Sequence, residues 1–198
     1  VAKVRAVTDR LPHGRRSEAR DNRGLIVDAA RATFLTDGPA APIREIARRA
    51  QVSPATVYRH FPTKETLAAE VFTEQTRPWW SIVDSGIADP DPWRGFCLAI
   101  EKLCARQALD REFTTAFKSE FPHAVDFAAM RARSLASAAE LLRRVKATGR
   151  VRPEVAVDDL VLMLTAVNGF RASTLAGRVA ASQRFARFVI HGFAQPPA

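Results

Sequence analysis

Several large protein classes are excluded by what this chain lacks. It has two cysteines, Cys97 and Cys104, in 198 residues. Both fall in one helix-like segment, where two turns would separate them by roughly 10.5 Å along the axis. That is beyond the roughly 7 Å Cα limit for an intramolecular disulfide. The N-terminal stretch is charged and has no apolar segment of the kind a secretory signal needs. A reducing, cytoplasmic setting is therefore expected. Apolar runs of roughly 18 residues or more are missing, so no membrane span or membrane partner is expected. There is no phosphate-binding glycine loop, no Gly-x-Ser-x-Gly and no His-Glu-x-x-His. His13, His60, His123 and His191 are far apart in sequence and suggest no metal site. No catalytic residue, metal or cofactor is expected, and the chain does not read as an enzyme. Alternating apolar and polar stretches of useful length are also missing, as is any internal repeat, which leaves an all-α fold.

Hydrophobic residues make up 47% of the chain, enough for a packed core. The net charge is +9, from 30 basic and 21 acidic residues. Twenty-five of the basic residues are Arg and five are Lys. Arginine suits bidentate contacts to phosphate and guanine, although genome composition explains the bias equally well. Residues 1–66 carry 13 basic and 7 acidic side chains, net +6, whereas residues 67–198 carry 17 and 14, net +3 over twice the length. The first third is thus the better candidate for a nucleic-acid face.

Residues 1–22 read as a basic flexible arm, with Lys3, Arg5, Arg10, Arg15, Arg16 and Arg20 and little apolar patterning. Such an arm is either a solvated tail or a contact to phosphate or the minor groove. From Arg23 the pattern is helical, with Ile26, Ala29, Ala30, Thr33 and Phe34 on one face. Asp37-Gly38-Pro39 stops this helix. A second begins near Pro42, which suits the first helical position, and buries Ile43, Ile46, Ala47 and Ala50. Gln51-Val52-Ser53 is a turn. Ser53-Pro54 then starts a short third helix to about His60, which Phe61-Pro62 ends. Thr63 can cap a fourth helix starting at Lys64, in which Pro78 is expected to cause a kink or break.

At about 100° per residue, Val57, Tyr58 and Phe61 close on one side of the third helix and should pack inward. Ala55, Thr56, Arg59 and His60 form a small, polar, basic front. Small residues let a helix enter the major groove, and Thr and Arg can read base edges. The stretch Ile43-Arg44-Glu45-Ile46-Ala47, then Val52-Ser53-Pro54-Ala55-Thr56-Val57-Tyr58-Arg59-His60-Phe61, then Lys64-Glu65, resembles the DNA-binding signature of the TetR (tetracycline-repressor) family. With the first helix, the match spans about residues 22–70.

The resemblance implies a bacterial helix-turn-helix regulator that binds double-stranded DNA as a homodimer. Repression is the family default, with release from a palindromic operator by a small-molecule effector. It implies phosphate contacts from Tyr58, His60 and Lys64, a phosphate or base contact from Thr56, and a base contact from Arg44. Ser53, Pro54, Ala55 and Arg59 fall on the surface that sets sequence preference. Each has a plainer alternative: Tyr58 as core, His60 as a solvated helix end, Arg44 paired with Glu45. Two departures stand out. Ala41-Pro42 replace a family Thr or Ser that also donates to phosphate, and Gln51 stands where glycine is usual.

The expected architecture is an all-α protein of about nine helices. A three-helix DNA-binding module at residues 23–70 joins a larger effector-binding and dimerisation bundle at 71–198. In that bundle, 93–108 and 123–147 read as helices, with loops at 89–92, 121–122, 148–149 and around Gly177. Val155–Leu175 and Ala180–Phe193 read as the last two helices. Val157, Leu160, Val161 and Leu164, continuing to Asn168 and Arg171, form one face of the penultimate helix. Phe185, Phe188, Val189 and Phe193 form a face of the last. Such apolar faces need partners. The resemblance assigns them to a four-helix dimer interface, and packing within one chain is the alternative. Trp79, Trp80, Trp93, Phe96, Cys97, Phe117, Phe127, Met130 and Met163 are candidates to line an effector pocket. Glu101, His123, Asn168 and Arg171 are its polar candidates. The fourth helix, linking the two parts, is the expected lever between them.

Two further readings compete. Cys97 and Cys104 share a helical face and would suit a redox or metal sensor, though cysteine more often packs as a small hydrophobe. A basic helical surface would also suit an acidic protein partner.

Overall fold

The structure, a computed structural model, describes residues 13–196, with side chains from Asn22 onward. Its helices are α1 (His13–Asp37), α2 (Ile43–Arg49), α3 (Pro54–His60), α4 (Lys64–Ala88), α5 (Pro92–Glu120), α6 (Phe127–Lys146), α7 (Val157–Val167) and α8 (Leu175–Phe193). The described residues thus form eight helices, in line with the expected count of about nine, and α5 runs on to Glu120 where the sequence pattern had ended that helix at 108. They contain no strand, only an isolated bridge between Val151 and Ala194. The chain divides into two compact units within α4, between Val71 and Phe72.

In the first unit the expected apolar faces are the buried ones. Ile26, Ala30, Thr33 and Phe34 of α1 and Ile43, Ile46, Ala47 and Ala50 of the next segment are in its core, with Leu67, Ala68 and Val71 of α4. Thr33 is satisfied there because its hydroxyl donates to the Ala29 carbonyl at 2.8 Å. Gly38 terminates α1 with φ 84°, the left-handed conformation that favours glycine. The Arg23 guanidinium lies 4.6 Å from the centre of the Phe61 ring and pairs with Glu70 at 2.7 Å, tying α1 to α4.

α1 starts at His13, well before the apolar pattern begins at Arg23. The intervening residues include Glu18, Ala19 and Arg20, which are good helix formers without an apolar stripe. Periodicity alone could not find them. The expected arm otherwise falls on residues 1–12, outside the described residues.

The second unit is organised around α5. Phe96, Ala99, Ile100, Cys104 and Ala108 line its buried face and pack with Leu141, Leu142 and Val145 of α6, Leu160, Met163 and Val167 of α7, and Ala186 of α8. α4 enters this unit unbroken across Pro78. The turns on both sides of the proline are anchored: Phe72 stacks on Phe117 at 4.4 Å, and the Trp79 indole donates to Asp110 at 3.0 Å. Where α4 hands over to α5, a Cβ on Gly95 would lie 2.3 Å from the Gly86 carbonyl oxygen, so this hairpin closes only with glycine.

Two boundaries differ from expectation. α7 stops at Val167, not near 175, because the N–H groups of Asn168, Gly169 and Phe170 bond three residues back and tighten the turn. Asn168 and Arg171 therefore do not continue the α7 face. α8 starts at Leu175, where the Thr174 hydroxyl accepts from the Gly177 N–H at 3.0 Å. Gly177 thus sits in a first helical turn, not in a loop.

Candidate nucleic-acid interface

α2 and α3 are joined by a turn whose hydrogen bonds define a Schellman motif. The Val52 N–H donates to the Ala47 carbonyl at 3.0 Å and the Gln51 N–H to the Arg48 carbonyl at 3.2 Å. This geometry needs a left-handed residue, and Gln51 supplies it with φ 56°, the one positive-φ non-glycine residue among those described. The cost is on the order of 1 kcal/mol. Pro42 is the N-cap of α2, one position earlier than expected, and no side chain caps that end. The missing hydroxyl noted in the sequence is thus missing from the helix N-terminus as well.

α3 is capped as its sequence implies. The Ser53 hydroxyl accepts from the Thr56 N–H at 3.1 Å and lies 3.0 Å from the Thr56 hydroxyl. The Thr56 hydroxyl in turn accepts from Arg59 at 3.5 Å. A short chain of contacts therefore runs from the start of α3 to the guanidinium at its exposed front. Val57 and Phe61 are buried behind it. Tyr58, expected to pack with them, is 49% exposed, so its ring stands at the edge of the surface. Seven residues of helix bury too narrow a stripe to include it.

Ser53, Pro54, Ala55 and Arg59 are exposed, and Thr56, His60 and Lys64 are half-buried. Thr63 begins α4 by accepting from the Thr66 N–H at 3.2 Å, which places Lys64 in the first turn beside α3 in sequence. Arg44 is exposed and does not pair with Glu45. Glu45 instead accepts from Arg48 at 2.6 Å, and that hydrogen bond holds its carboxyl below the usual carboxylate range. All nine sequence candidates lie within α2, α3 and their flanks. A short helix with an apolar back and a polar front, set by a tight turn against a second helix, is a DNA-binding helix-turn-helix.

The second unit contains a cavity of about 920 Å³ bounded by α4, α5 and α6, with Val161 of α7 and Asn168 completing the wall. Of the effector candidates, Trp79, Trp80, Phe127, Met130 and Asn168 line it. Phe96, Phe117 and Met163 are buried in the core instead. Trp93 packs beside Phe96 under the Arg150 guanidinium, away from this wall. Cys97 and Glu101 are half-buried elsewhere on α5, and His123 is exposed in the α5–α6 connection. Arg171 lines a separate depression with Arg111 and Arg178. The sequence reading missed Thr76, Gln107, Arg111, Lys118 and Arg131 on the cavity wall. Their signal was weak, because polar residues on a long helix look like a solvated face until the neighbouring helices are placed.

The cysteines do not suit a reactive sensor. Burial pushes the Cys97 thiol up to about 11 and the Cys104 thiol up to about 12, and Cys104 is wholly buried. Among the described residues no group of three or more His, Cys, Asp or Glu is placed to hold a metal ion. No helix among them is long and apolar enough to cross a membrane.

On the apolar faces of α7 and α8, Leu160 is buried in the chain's own core, and Val157, Leu164, Phe185 and Val189 pack partly against it. Val161 is on the cavity wall. Phe188 is 66% exposed, as is Leu162, which the sequence reading did not single out.

Two family models match this chain: the tetR family of bacterial regulatory proteins over residues 26–71, and the C-terminal domain of SbtR-like transcriptional regulators over residues 91–195. A solved TetR transcription regulatory protein from Mycobacterium vanbaalenii is 28% identical, with 91% of this chain and 99% of that one covered and a TM-score of 0.60. A TetR regulator from Streptomyces coelicolor (21% identity, 88% and 99% covered, TM-score 0.67) shares the fold. So does TylP, a TetR regulator from Streptomyces fradiae (24%, 90% and 89%, TM-score 0.61). No curated protein matches the chain. The chain belongs to the TetR family of DNA-binding transcription regulators.

Proposed function

We propose that this protein is a homodimeric, sequence-specific repressor that leaves a palindromic operator when a small molecule occupies the cavity between α4, α5 and α6. The observation that carries the reading is the exposed front of α3: Ala55, Tyr58 and Arg59 face outward over a buried Val57 and Phe61. Ala55 lets the helix approach the groove floor, and Arg59 reads a base edge there. Tyr58, His60 and Lys64 hold the flanking phosphates, with Thr56 beside them and Arg44 reaching a base from α2. Ser53 and Pro54 set how deeply the helix N-terminus enters. The reading makes the chain a regulator without catalytic activity.

Dimerisation is assigned to α7 and α8, where Phe188 and Leu162 leave large apolar side chains in water. Two α3 helices in such a dimer would enter major grooves about 34–36 Å apart. Effector in the cavity shifts the population toward conformers that miss this spacing. α4 contributes Thr76, Trp79 and Trp80 to the cavity and Lys64 to the DNA face, and so joins the two sites covalently.

The test is selection of binding sites from a random duplex library, followed by affinity at two salt concentrations. An enriched inverted repeat is expected. Weak, strongly salt-dependent binding without enrichment would reduce the basic face to non-specific attraction and overturn the reading.

A further inference from the structure

We infer that the α4–α6 cavity takes an amphipathic organic anion, a flat or extended apolar body carrying one carboxylate. This rests on the reading of that cavity as the effector site and names the ligand's chemical class. Arg111 and Lys118 reach the cavity from α5 and Arg131 from α6, and among the described residues no Asp or Glu lines it. Neither the Arg111 nor the Arg131 guanidinium makes a hydrogen bond or ion pair among the described residues. Lys118 lies over the Phe127 ring, 5.2 Å from its centre. The three cations are solvent-exposed at the cavity's rim, on two helices, and although Arg111 also acts on the Glu112 carboxylate, which lies outside the cavity, no carboxylate on the wall itself meets them. A planar guanidinium presents donors that match a carboxylate in a bidentate way.

The apolar part of the wall is rigid. Phe72 stacks on Phe117 and meets Phe127 edge-on at 5.5 Å. The Trp79 indole is fixed by Asp110 at 3.0 Å. Asp110 does not cancel the cavity's positive charge, because its carboxylate is already bound by Arg106 and Gln75 behind the wall. A neutral apolar ligand would use only the aromatic side, whereas an anion would also engage the guanidinium groups of Arg111 and Arg131 at the rim.

The experiment compares 1-pyrenebutyrate with its primary amide, which has the same body without the charge, by calorimetric titration into the full chain. The carboxylate is expected to bind roughly tenfold tighter, the effect of one charge-assisted hydrogen bond at an exposed rim. In an Arg111→Gln, Arg131→Gln variant that advantage should disappear while the amide binds as before, which also shows that the cavity remains folded. Equal binding of acid and amide, an acid preference that survives in the variant, or no binding of the acid at millimolar concentration would each overturn the inference. Operator affinity measured with each ligand tests the effector reading separately. Tight, charge-dependent binding that leaves DNA affinity unchanged would keep the anion site and remove the effector role. Release by the amide as effectively as by the acid would do the reverse.

Discussion

Deleting one hydroxyl at Tyr58 separates a DNA contact from a structural role. The ring is 49% exposed, so in Tyr58→Phe no buried group loses a partner. Stability should stay within about 0.5 kcal/mol of the parent, as for surface changes away from special features. If the hydroxyl donates to a phosphate, its loss removes a hydrogen bond of about 1 kcal/mol per half-site. That is roughly a fivefold rise in Kd per half-site, or about thirtyfold when both subunits of a dimer carry the change. Because the lost group is neutral, the slope of log affinity against log salt should not change. Lys64→Gln, by contrast, should flatten that slope by about 0.9 for each phosphate contact removed. Fluorescence anisotropy on the selected operator across a salt series reads both quantities, with thermal melts as the control. An unchanged Kd in Tyr58→Phe would refute the phosphate contact, and a lower melting temperature with that unchanged Kd would assign the hydroxyl a structural role instead.

Gln51→Gly should stabilise the protein by about 0.5–1 kcal/mol, since relief of the left-handed strain outweighs the extra chain entropy of glycine. Chemical denaturation followed by a probe in the first unit checks this, and a fall in stability would show that the turn is not strained. Phe188→Glu should turn a dimer into monomers at little cost to the fold, because the side chain is 66% exposed, and sedimentation reads the mass. Leu160→Ala should instead lose about 2–5 kcal/mol, the usual cost of emptying a buried leucine site. An unchanged mass in Phe188→Glu would remove that face of α8 from the interface.

Cys97 and Cys104 should resist alkylation at pH 7.5 in the folded protein and react fully in denaturant. Their folded thiol values, about 11 and about 12, lie above the ordinary value of 9.0. Their contribution to stability is therefore complete below that ordinary value and is lost as pH rises through the folded ones. Rapid labelling of Cys97 in the fold, or DNA binding sensitive to mild oxidants, would revive the sensor reading.

The buried faces of α1 and α2, the bounds of α3 and the Ser53 cap followed from sequence because each depends on contacts within a few residues. Helical periodicity, a capping hydroxyl and a proline at the first turn act locally and marked the small, polar front of α3, whereas the contact roles of Arg44, Tyr58, His60 and Lys64 came from the resemblance to the TetR signature. Gln51 is a similar case: the turn's hydrogen-bond pattern requires a left-handed residue whichever side chain is present. Tertiary packing decided the rest. Tyr58 left the core because α3 is too short to bury it. α4 stayed helical through Pro78 because contacts to α5 hold both flanks. The cavity wall was the least legible part, since it is made by residues distant in sequence whose convergence depends on how α4, α5 and α6 pack. Phe96, Phe117 and Met163 look like pocket residues by composition but became core. Arg111, Lys118 and Arg131 are exposed charges, as their sequence pattern suggests, but they border one cavity, because a side chain's surroundings are set by neighbouring helices and not by its own.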